Sequence, residues 1–147
     1  MLRYLDVQNI LDKNDLILQE SGCVGSENER GNTYMKKIGI VTDSHSSISQ
    51  EEAEKLGIFV LPMPFYIDGE CYYESVTLSR ELFFEKLAAG ADITTSQPSP
   101  TAVMEIWDKA LEQFEKILYM PISSGLSGSY ETAMMLAKDE AYEGRVL

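Results

Sequence analysis

The stretch KIGIVTDSHSS, residues 37–47, decides the fold of this chain. Its first part, Ile38 to Thr42, is apolar and β-branched, which is typical of a strand buried on both faces of a sheet. The second part, Asp43 to Ser47, is polar and predicts a loop where that strand ends. Such strands occur in parallel sheets that helices cover on both sides, so we expect an α/β fold.

Strand and helix signals alternate after this stretch. Ser49 and Glu52 have the spacing of a capping box, and the helix that begins there should end at Gly57. Further core strands are predicted at 58–61 and 117–120, and a last strand should begin at 145. Further helices are predicted from Ser79, from Ser99 with Pro100 in its first turn, and from Tyr130 to Ala141.

A β-hairpin is predicted in the middle of the chain. The segments 65–67 and 71–73 are strand-like, and Asp68-Gly69 between them is a turn in which glycine can adopt positive φ. Elsewhere the order is strand, crossover helix, strand, which implies parallel pairing. The sequence therefore predicts a three-layer αβα domain with a mainly parallel sheet, and we expect the hairpin to be added at one edge of that sheet.

The chain divides into two parts. Residues 21–33 are polar and glycine-rich, and they separate a short apolar segment from everything that follows. We therefore expect residues 1–34 to be a flexible N-terminal appendage and residues 35–147 to form the folded domain.

Composition argues against several classes of partner. The 24 acidic and 12 basic side chains give a formal net charge of −12, which repels the phosphates of nucleic acid. Two cysteines, Cys23 and Cys71, and a single histidine, His45, match no metal-site spacing, so we expect no metal and no cofactor. Charged residues interrupt the apolar positions of residues 1–20, so we expect no signal peptide, no membrane span and a cytoplasmic protein.

Three loops rich in hydroxyl groups are expected at one edge of the sheet, because the carboxyl ends of parallel strands meet there. They are residues 43–47, 94–99 and 123–129, and the last two lead into helices. Hydroxyl donors and unpaired amides at a helix start can bind an anion such as a carboxylate. Gly125 and Gly128 let the backbone approach closely. For any single loop, capping and turn chemistry is the commoner explanation.

Three segments in this order resemble the signature motifs of the DegV family: residues 42–44 (TDS), 94–99 (TTSQPS) and 123–130 (SSGLSGSY). The resemblance runs from about Met35 to Leu147. It implies a protein that holds a long-chain fatty acid such as palmitate in a tunnel and that binds rather than catalyses. In the best-understood members it also implies a partner, a fatty acid kinase that phosphorylates the presented carboxyl group.

The resemblance also implies roles for particular residues of this chain. Carried over by position, the hydroxyls of Thr95 and Ser124 would bind the fatty-acid carboxylate. Supporting positions would shape the surrounding loops or line the same edge, namely Asp43, Ser44, Ser96, Ser123, Gly125, Ser127 and Gly128.

The chain departs from the family pattern in two respects. His45 stands where the family usually has threonine or serine, and its ring either narrows the site, adds a weak cationic contact or is a surface imidazole. Family members are also much longer and have a second domain that completes the tunnel. We therefore expect a truncated chain without the second DegV domain, and self-association through the apolar face that this leaves uncovered.

Two other functions remain open. A serine hydrolase would use Ser127 at a strand-to-helix turn with His45 as base, although Ser129 stands where a nucleophile elbow requires its second glycine. Alternatively, the chain is a truncated remnant that binds no lipid and acts through protein interaction. Nucleotide binding is unsupported, because no phosphate-binding glycine motif follows a predicted strand.

Overall fold

The computed structural model describes residues 36–74 and 76–147, so the proposed appendage lies outside the described residues. The strands are β1 (Lys36–Asp43), β2 (Phe59–Leu61), β3 (Pro64–Ile67), β4 (Glu70–Tyr73), β5 (Ile93–Thr95) and β6 (Phe114–Met120). The helices are α1 (Gln50–Leu56), α2 (Arg80–Ala88), α3 (Pro100–Leu111) and α4 (Ser129–Leu136), and a short 3-10 turn spans Ser44–Ser46.

The parallel sheet has β1 at its centre, in the order β2-β1-β6. Val41 is in register with Phe59 on one side and with Tyr119 on the other, and both pairings are parallel. The strand predicted at residue 145 is reduced to a parallel bridge between Val146 and Ile117. This is the sheet that the stretch 37–47 predicts.

Two hydrophobic cores lie on opposite faces of this sheet, which confirms the predicted three-layer α/β architecture. Ile40 packs in a cluster with Ala53 of α1, whereas its neighbour Val41 packs in a second cluster with Trp107 of α3. Successive side chains of a strand point to opposite faces, so β1 contributes to both cores. Trp107 is fully buried and makes edge contacts with the rings of Tyr119 and Tyr142, with centroids 5.3 and 5.2 Å apart.

The hairpin forms as predicted, but its expected place at an edge of the parallel sheet is wrong. β3 and β4 pair around Asp68 and Gly69, which both have positive φ, and β5 joins them in a separate antiparallel sheet of order β4-β3-β5. The sequence analysis placed Thr94 and Thr95 in a loop, whereas they belong to β5. Their β-branched side chains carried a strand signal that the following polar, proline-rich residues obscured.

Local helix signals are confirmed at three helix starts. The side chains of Ser49, Ser79 and Ser99 accept hydrogen bonds from backbone amides of α1, α2 and α3, and Ser49 forms the full capping box with Glu52. Gly57 ends α1 with φ of 65°.

The last helix, α4, ends at Leu136 and is therefore shorter than the predicted segment 130–141. The carboxylate of Asp139 accepts a hydrogen bond from the amide of Ala141, so the side chain offers the backbone a partner outside the helix. The turns that follow bring Tyr142 into the core against Trp107, and Tyr142 is only 6% exposed.

Two buried tyrosines differ in how their hydroxyls are satisfied. Tyr142 donates to Asp108 Oδ1 at 3.0 Å, whereas the hydroxyl of Tyr119 has no hydrogen-bond partner among the described residues. Burial, followed by the contact with Asp108, raises the pKa of Tyr142 to about 12. Burial, followed by the negative charge of Asp43, also raises the pKa of Tyr119. Both shifts favour the neutral form, so the free energy of unfolding does not change with pH on account of these groups below about pH 10, the value for an exposed tyrosine, and it falls as pH rises beyond it.

Replacing each tyrosine by phenylalanine distinguishes the hydrogen-bonded hydroxyl of Tyr142 from the unpartnered hydroxyl of Tyr119. Tyr119→Phe should raise the free energy of unfolding at pH 7 by about 1 kcal/mol, because a buried hydroxyl without a partner is removed. Tyr142→Phe should lower it by about 1 kcal/mol, because a hydrogen bond is lost. Urea unfolding at neutral pH and above pH 10 measures both effects, and the alkaline loss of stability should be smaller in each variant. Equal destabilisation by the two substitutions at pH 7 would contradict this account.

Candidate functional site

Asp43, at the end of β1, connects the first predicted loop with the third. Its side chain is 2% exposed, and Oδ2 accepts a hydrogen bond of 2.6 Å from the amide of Ile122, just beyond β6. Oδ1 accepts a hydrogen bond of 3.1 Å from the amide of His45 and lies 3.4 Å from His45 Nδ1. Each carboxylate oxygen therefore accepts a backbone hydrogen bond, and Asp43 holds the loop after β1 close to the loop after β6.

Ser44 connects the parallel sheet to the antiparallel one. Its buried hydroxyl donates to Glu74 Oε2, after β4, and accepts a hydrogen bond of 3.1 Å from the amide of Met63, before β3. Ser44 is predicted to lie at the ligand-binding edge, but its contacts with Glu74 and Met63 are not predictable from the sequence. These residues are distant in sequence, so no local pattern indicated the contact.

The second predicted segment approaches the third through Gln97. Its Nε2 donates to Thr132 Oγ1 of α4 at 3.4 Å, and a Cβ atom added to Gly128 would lie 2.9 Å from Gln97 Oε1. A side chain at position 128 would require the Gln97 amide group to shift, so Gly128 permits this close contact with a glutamine side chain. Ser96 is held beside β3 by a hydrogen bond of 3.3 Å from its amide to the carbonyl oxygen of Pro64.

The third loop is shaped by its own serines. The carbonyl oxygen of Ser123 accepts hydrogen bonds from the amides of Leu126 and Ser127, and its hydroxyl accepts one of 3.3 Å from the amide of Gly125. Ser127 Oγ lies 2.8 Å from Ser129 Oγ and accepts a hydrogen bond from the Ser129 amide. Ser123 and Ser127 thus hold the backbone of this loop through hydrogen bonds within it.

A cleft of about 180 Å³ opens where the three segments meet. It contains Thr95, Ser96 and Ser127 from the predicted set, whereas Ser124 is exposed on the same loop without lining the cleft. The complete lining is His45, Met63, Phe65, Thr95, Ser96, Gln97, Ile122, Leu126 and Ser127. Phe65 is an aromatic position that the sequence offered as a possible acyl-chain contact, whereas sequence reasoning missed Met63, Ile122 and Leu126. The cleft therefore combines hydroxyl groups with an apolar wall, which suits the polar end of an amphiphilic molecule.

The cleft contains little formal charge. Its lining includes no lysine, arginine or carboxylate, and His45 is the lining side chain that can become positively charged. A larger groove of about 330 Å³ shares Ser96 and Gln97 but is lined mainly by proline and tyrosine side chains. In residues 36–74 and 76–147, no group of side chains could hold a metal ion, and none of the helices is long and apolar enough to cross a membrane.

The comparison with known proteins agrees with this geometry. The sequence model of the DegV family, described as "Uncharacterised protein, DegV family", matches residues 37–146. The chain belongs to the DegV family. A DegV domain-containing protein of Caldanaerobacter subterraneus is 37% identical over 112 residues, which cover 76% of this chain and 40% of that protein. A DegV domain-containing 15.5 kDa protein of Staphylococcus aureus is 35% identical, and the match covers 68% of this chain and 71% of that protein.

Solved structures show the same fold. A DegV family protein of Thermus thermophilus, described as binding fatty acid, has 34% identity and a TM-score of 0.67, with 76% of this chain and 39% of that chain covered. DegV of Bacillus subtilis, described as a fatty acid binding protein, has 25% identity and a TM-score of 0.66, with 77% and 39% covered. The chain thus spans about two fifths of the length of these structural relatives.

Replacing Asp43 tests the connection between the loops. Asp43→Asn should lower the free energy of unfolding by about 1–3 kcal/mol, because the amide has one acceptor oxygen and one of the two backbone donors would lose its partner. Glu105→Gln, an exposed carboxylate of α3, is the matched control and should change stability by less than about 0.5 kcal/mol. Urea unfolding at pH 7 measures both, and equal stability of the two variants would argue against the role of Asp43.

Proposed function

We propose that this chain binds the carboxylate of a long-chain fatty acid, such as palmitate, in the cleft between β5 and the loop that follows β6. The single observation that carries the proposal is that hydroxyl groups of two separate segments, represented by Thr95 and Ser127, line one cleft. The two solved structural relatives named above, from Thermus thermophilus and Bacillus subtilis, are both described as fatty-acid-binding proteins.

The start of α4 supports an anionic ligand. Helices α1, α2 and α3 each follow an N-cap serine whose side chain accepts an amide hydrogen bond. The N-cap of α4 is Gly128, which has no side chain to do this, and of the first amides of α4 that of Ser129 already donates to Ser127 Oγ. Amides in the first turn of a helix have no partner within the helix and favour a negative group. In the proposal, the ligand carboxylate lies near this helix start and accepts hydrogen bonds from Thr95, which lines the cleft, and from Ser124, whose exposed side chain would have to move toward the ligand.

The acyl chain would begin along the apolar wall of the cleft, beside Phe65 and Leu126. The cleft volume of about 180 Å³ is smaller than the roughly 300 Å³ at which pockets for drug-sized ligands begin. The cleft would therefore accommodate the headgroup and the first methylenes but not the whole acyl chain. The remainder of the acyl chain therefore needs protein contacts from outside the cleft. Leu126, whose side chain is 78% exposed, marks where these contacts would begin. A second domain or another protein copy would provide them.

Presentation of the bound acid to a fatty acid kinase, and a cytoplasmic location, complete the proposal. Presentation follows from the family resemblance, in which the carboxyl group is offered for phosphorylation, and the cytoplasmic location follows from the composition of the sequence. An exposed carboxylate site at the rim of two sheets is compatible with access by such a partner.

A serine hydrolase is the competing function, and one observation favours it. His45 and Ser127 line the same cleft, and Asp43 lies 3.4 Å from His45 Nδ1, which is the order of groups in a catalytic triad. Against it, Ser127 Oγ is hydrogen-bonded to Ser129. Hydrolysis of a simple ester that disappears in Ser127→Ala would establish the enzyme and displace the binding proposal.

Native mass spectrometry of the chain purified from bacterial cells tests the proposal directly. We expect a retained acid with 16 to 18 carbons, at a stoichiometry of about one acid per protein, because a hydrophobic ligand dissociates slowly. A chain that carries no lipid, and takes up none when palmitate is added, would support the truncated remnant. The same spectra report whether the chain self-associates.

Removal of single hydroxyl groups tests the headgroup contacts. Thr95→Ala and Ser124→Ala should each weaken palmitate binding by about 1–3 kcal/mol, because a charged oxygen loses a hydrogen-bond donor. Thr94→Ala is the matched control, since neighbouring side chains of β5 point to opposite faces and Thr94 does not line the cleft. Titration of the three variants with palmitate measures the difference. Affinity that is unchanged in the first two variants would refute their assigned roles.

A further inference from the structure

One side chain of the cleft has a chemistry that the hydroxyl groups do not provide. His45 is the only histidine of the chain, and its side chain is 38% exposed at the cleft lining. Its Nδ1 faces Asp43 Oδ1 at 3.4 Å, whereas Nε2 makes no hydrogen bond to any described residue. The ring is therefore held on one side, and the nitrogen on the other side is available.

We propose that His45 is a pH-dependent binding residue whose Nε2 donates a charged hydrogen bond to the ligand carboxylate in the cleft. The inference rests on the proposed function and adds a specificity for ionised carboxylic acids over neutral lipids of the same length. An imidazole changes its charge between about pH 5 and pH 8, so small changes of pH within this range alter the contact.

Few charged side chains lie near His45. Asp43, at the end of β1, faces Nδ1, and Glu74, after β4, contacts Ser44 next to it. The lining contributed by the segment before β3, by β3, by the β5 segment and by the loop after β6 contains no ionisable carboxyl or basic group. A protonated His45 is therefore the one positive charge that the described lining offers to an anion.

Affinity measured at two pH values tests the proposal. The chain should bind palmitate about fivefold more tightly near pH 6 than near pH 8, which corresponds to a partly exposed ion pair. The carboxylate of the ligand stays ionised in this range, since carboxyl groups titrate near pH 4 to 5. His45→Asn, which keeps a donor toward Asp43 but carries no charge, should bind equally at both pH values. Hexadecanol, which lacks the carboxylate, should bind the unmodified chain without pH dependence.

The single histidine also gives a direct spectroscopic reading in the unmodified chain. Saturating palmitate near pH 7 should move the imidazole proton resonances toward their protonated positions, because binding and protonation favour each other reciprocally. Hexadecanol should leave them in place. This measurement does not depend on whether the variant folds.

The outcomes distinguish the inference from the function on which it rests. Palmitate binding with the same pH dependence in the unmodified chain and in His45→Asn, or resonances that palmitate does not move, overturns the role of His45 alone. Failure of the unmodified chain to bind palmitate at either pH overturns both the role of His45 and the proposed function.

Discussion

The buried carboxylate of Asp43 is the group on which the arrangement of the site depends. It ends the central strand β1, and it accepts hydrogen bonds from the amides of His45 and Ile122, which belong to two different loops. Burial of a carboxylate is unfavourable unless hydrogen bonds replace water, and two amide donors with the adjacent imidazole provide that replacement. The loops after β1 and β6 consequently have a fixed relation to each other and to the sheet.

The cleft lies at the junction of two sheets, and this differs from the usual site at the edge of one parallel sheet. Thr95 is placed by the antiparallel sheet, and the contacts of Ser44 with Glu74 and Met63 join that sheet to β1. Gln97 then joins the segment after β5 to α4. Hydroxyl groups from separate sheets thus converge through a small number of polar contacts, which are stronger in these partly buried positions than in water.

The fold could be predicted from sequence where the signals are local. The capping box of Ser49, the hairpin turn at Asp68 and the apolar strand from Ile38 all depend on neighbouring residues, and each is present. The antiparallel sheet was missed because β5 is only three residues long and merges into a polar, proline-rich segment. The end of α4 was missed because it depends on the packing of Tyr142 against Trp107.

The candidate site could likewise be predicted where it depends on local motifs, and not where it depends on contacts between residues distant in sequence. Sequence reasoning could place Thr95 and Ser127 near one another, and both line the cleft, although Thr95 lies at the end of strand β5 and not in a loop. It could not show which way a loop side chain points, so it did not distinguish Ser124, exposed on the same loop, from Ser127. It also gave no sign that the hydroxyl of Ser44 is occupied by Glu74, since that contact depends on the tertiary fold.

For the anion site that we propose, neutral donors are physically compatible with a chain of net charge −12. Repulsion from distant carboxylates is screened beyond about 8 Å at physiological salt, so the local groups decide whether an anion is tolerated. A fatty acid gains about 0.8 kcal/mol for each buried methylene, so its acyl chain can supply most of the affinity. The polar groups then need only replace the water lost by the carboxylate and fix its orientation. Hydroxyl and amide donors can do this without a buried lysine or arginine, whose own desolvation would cost free energy in the absence of a ligand.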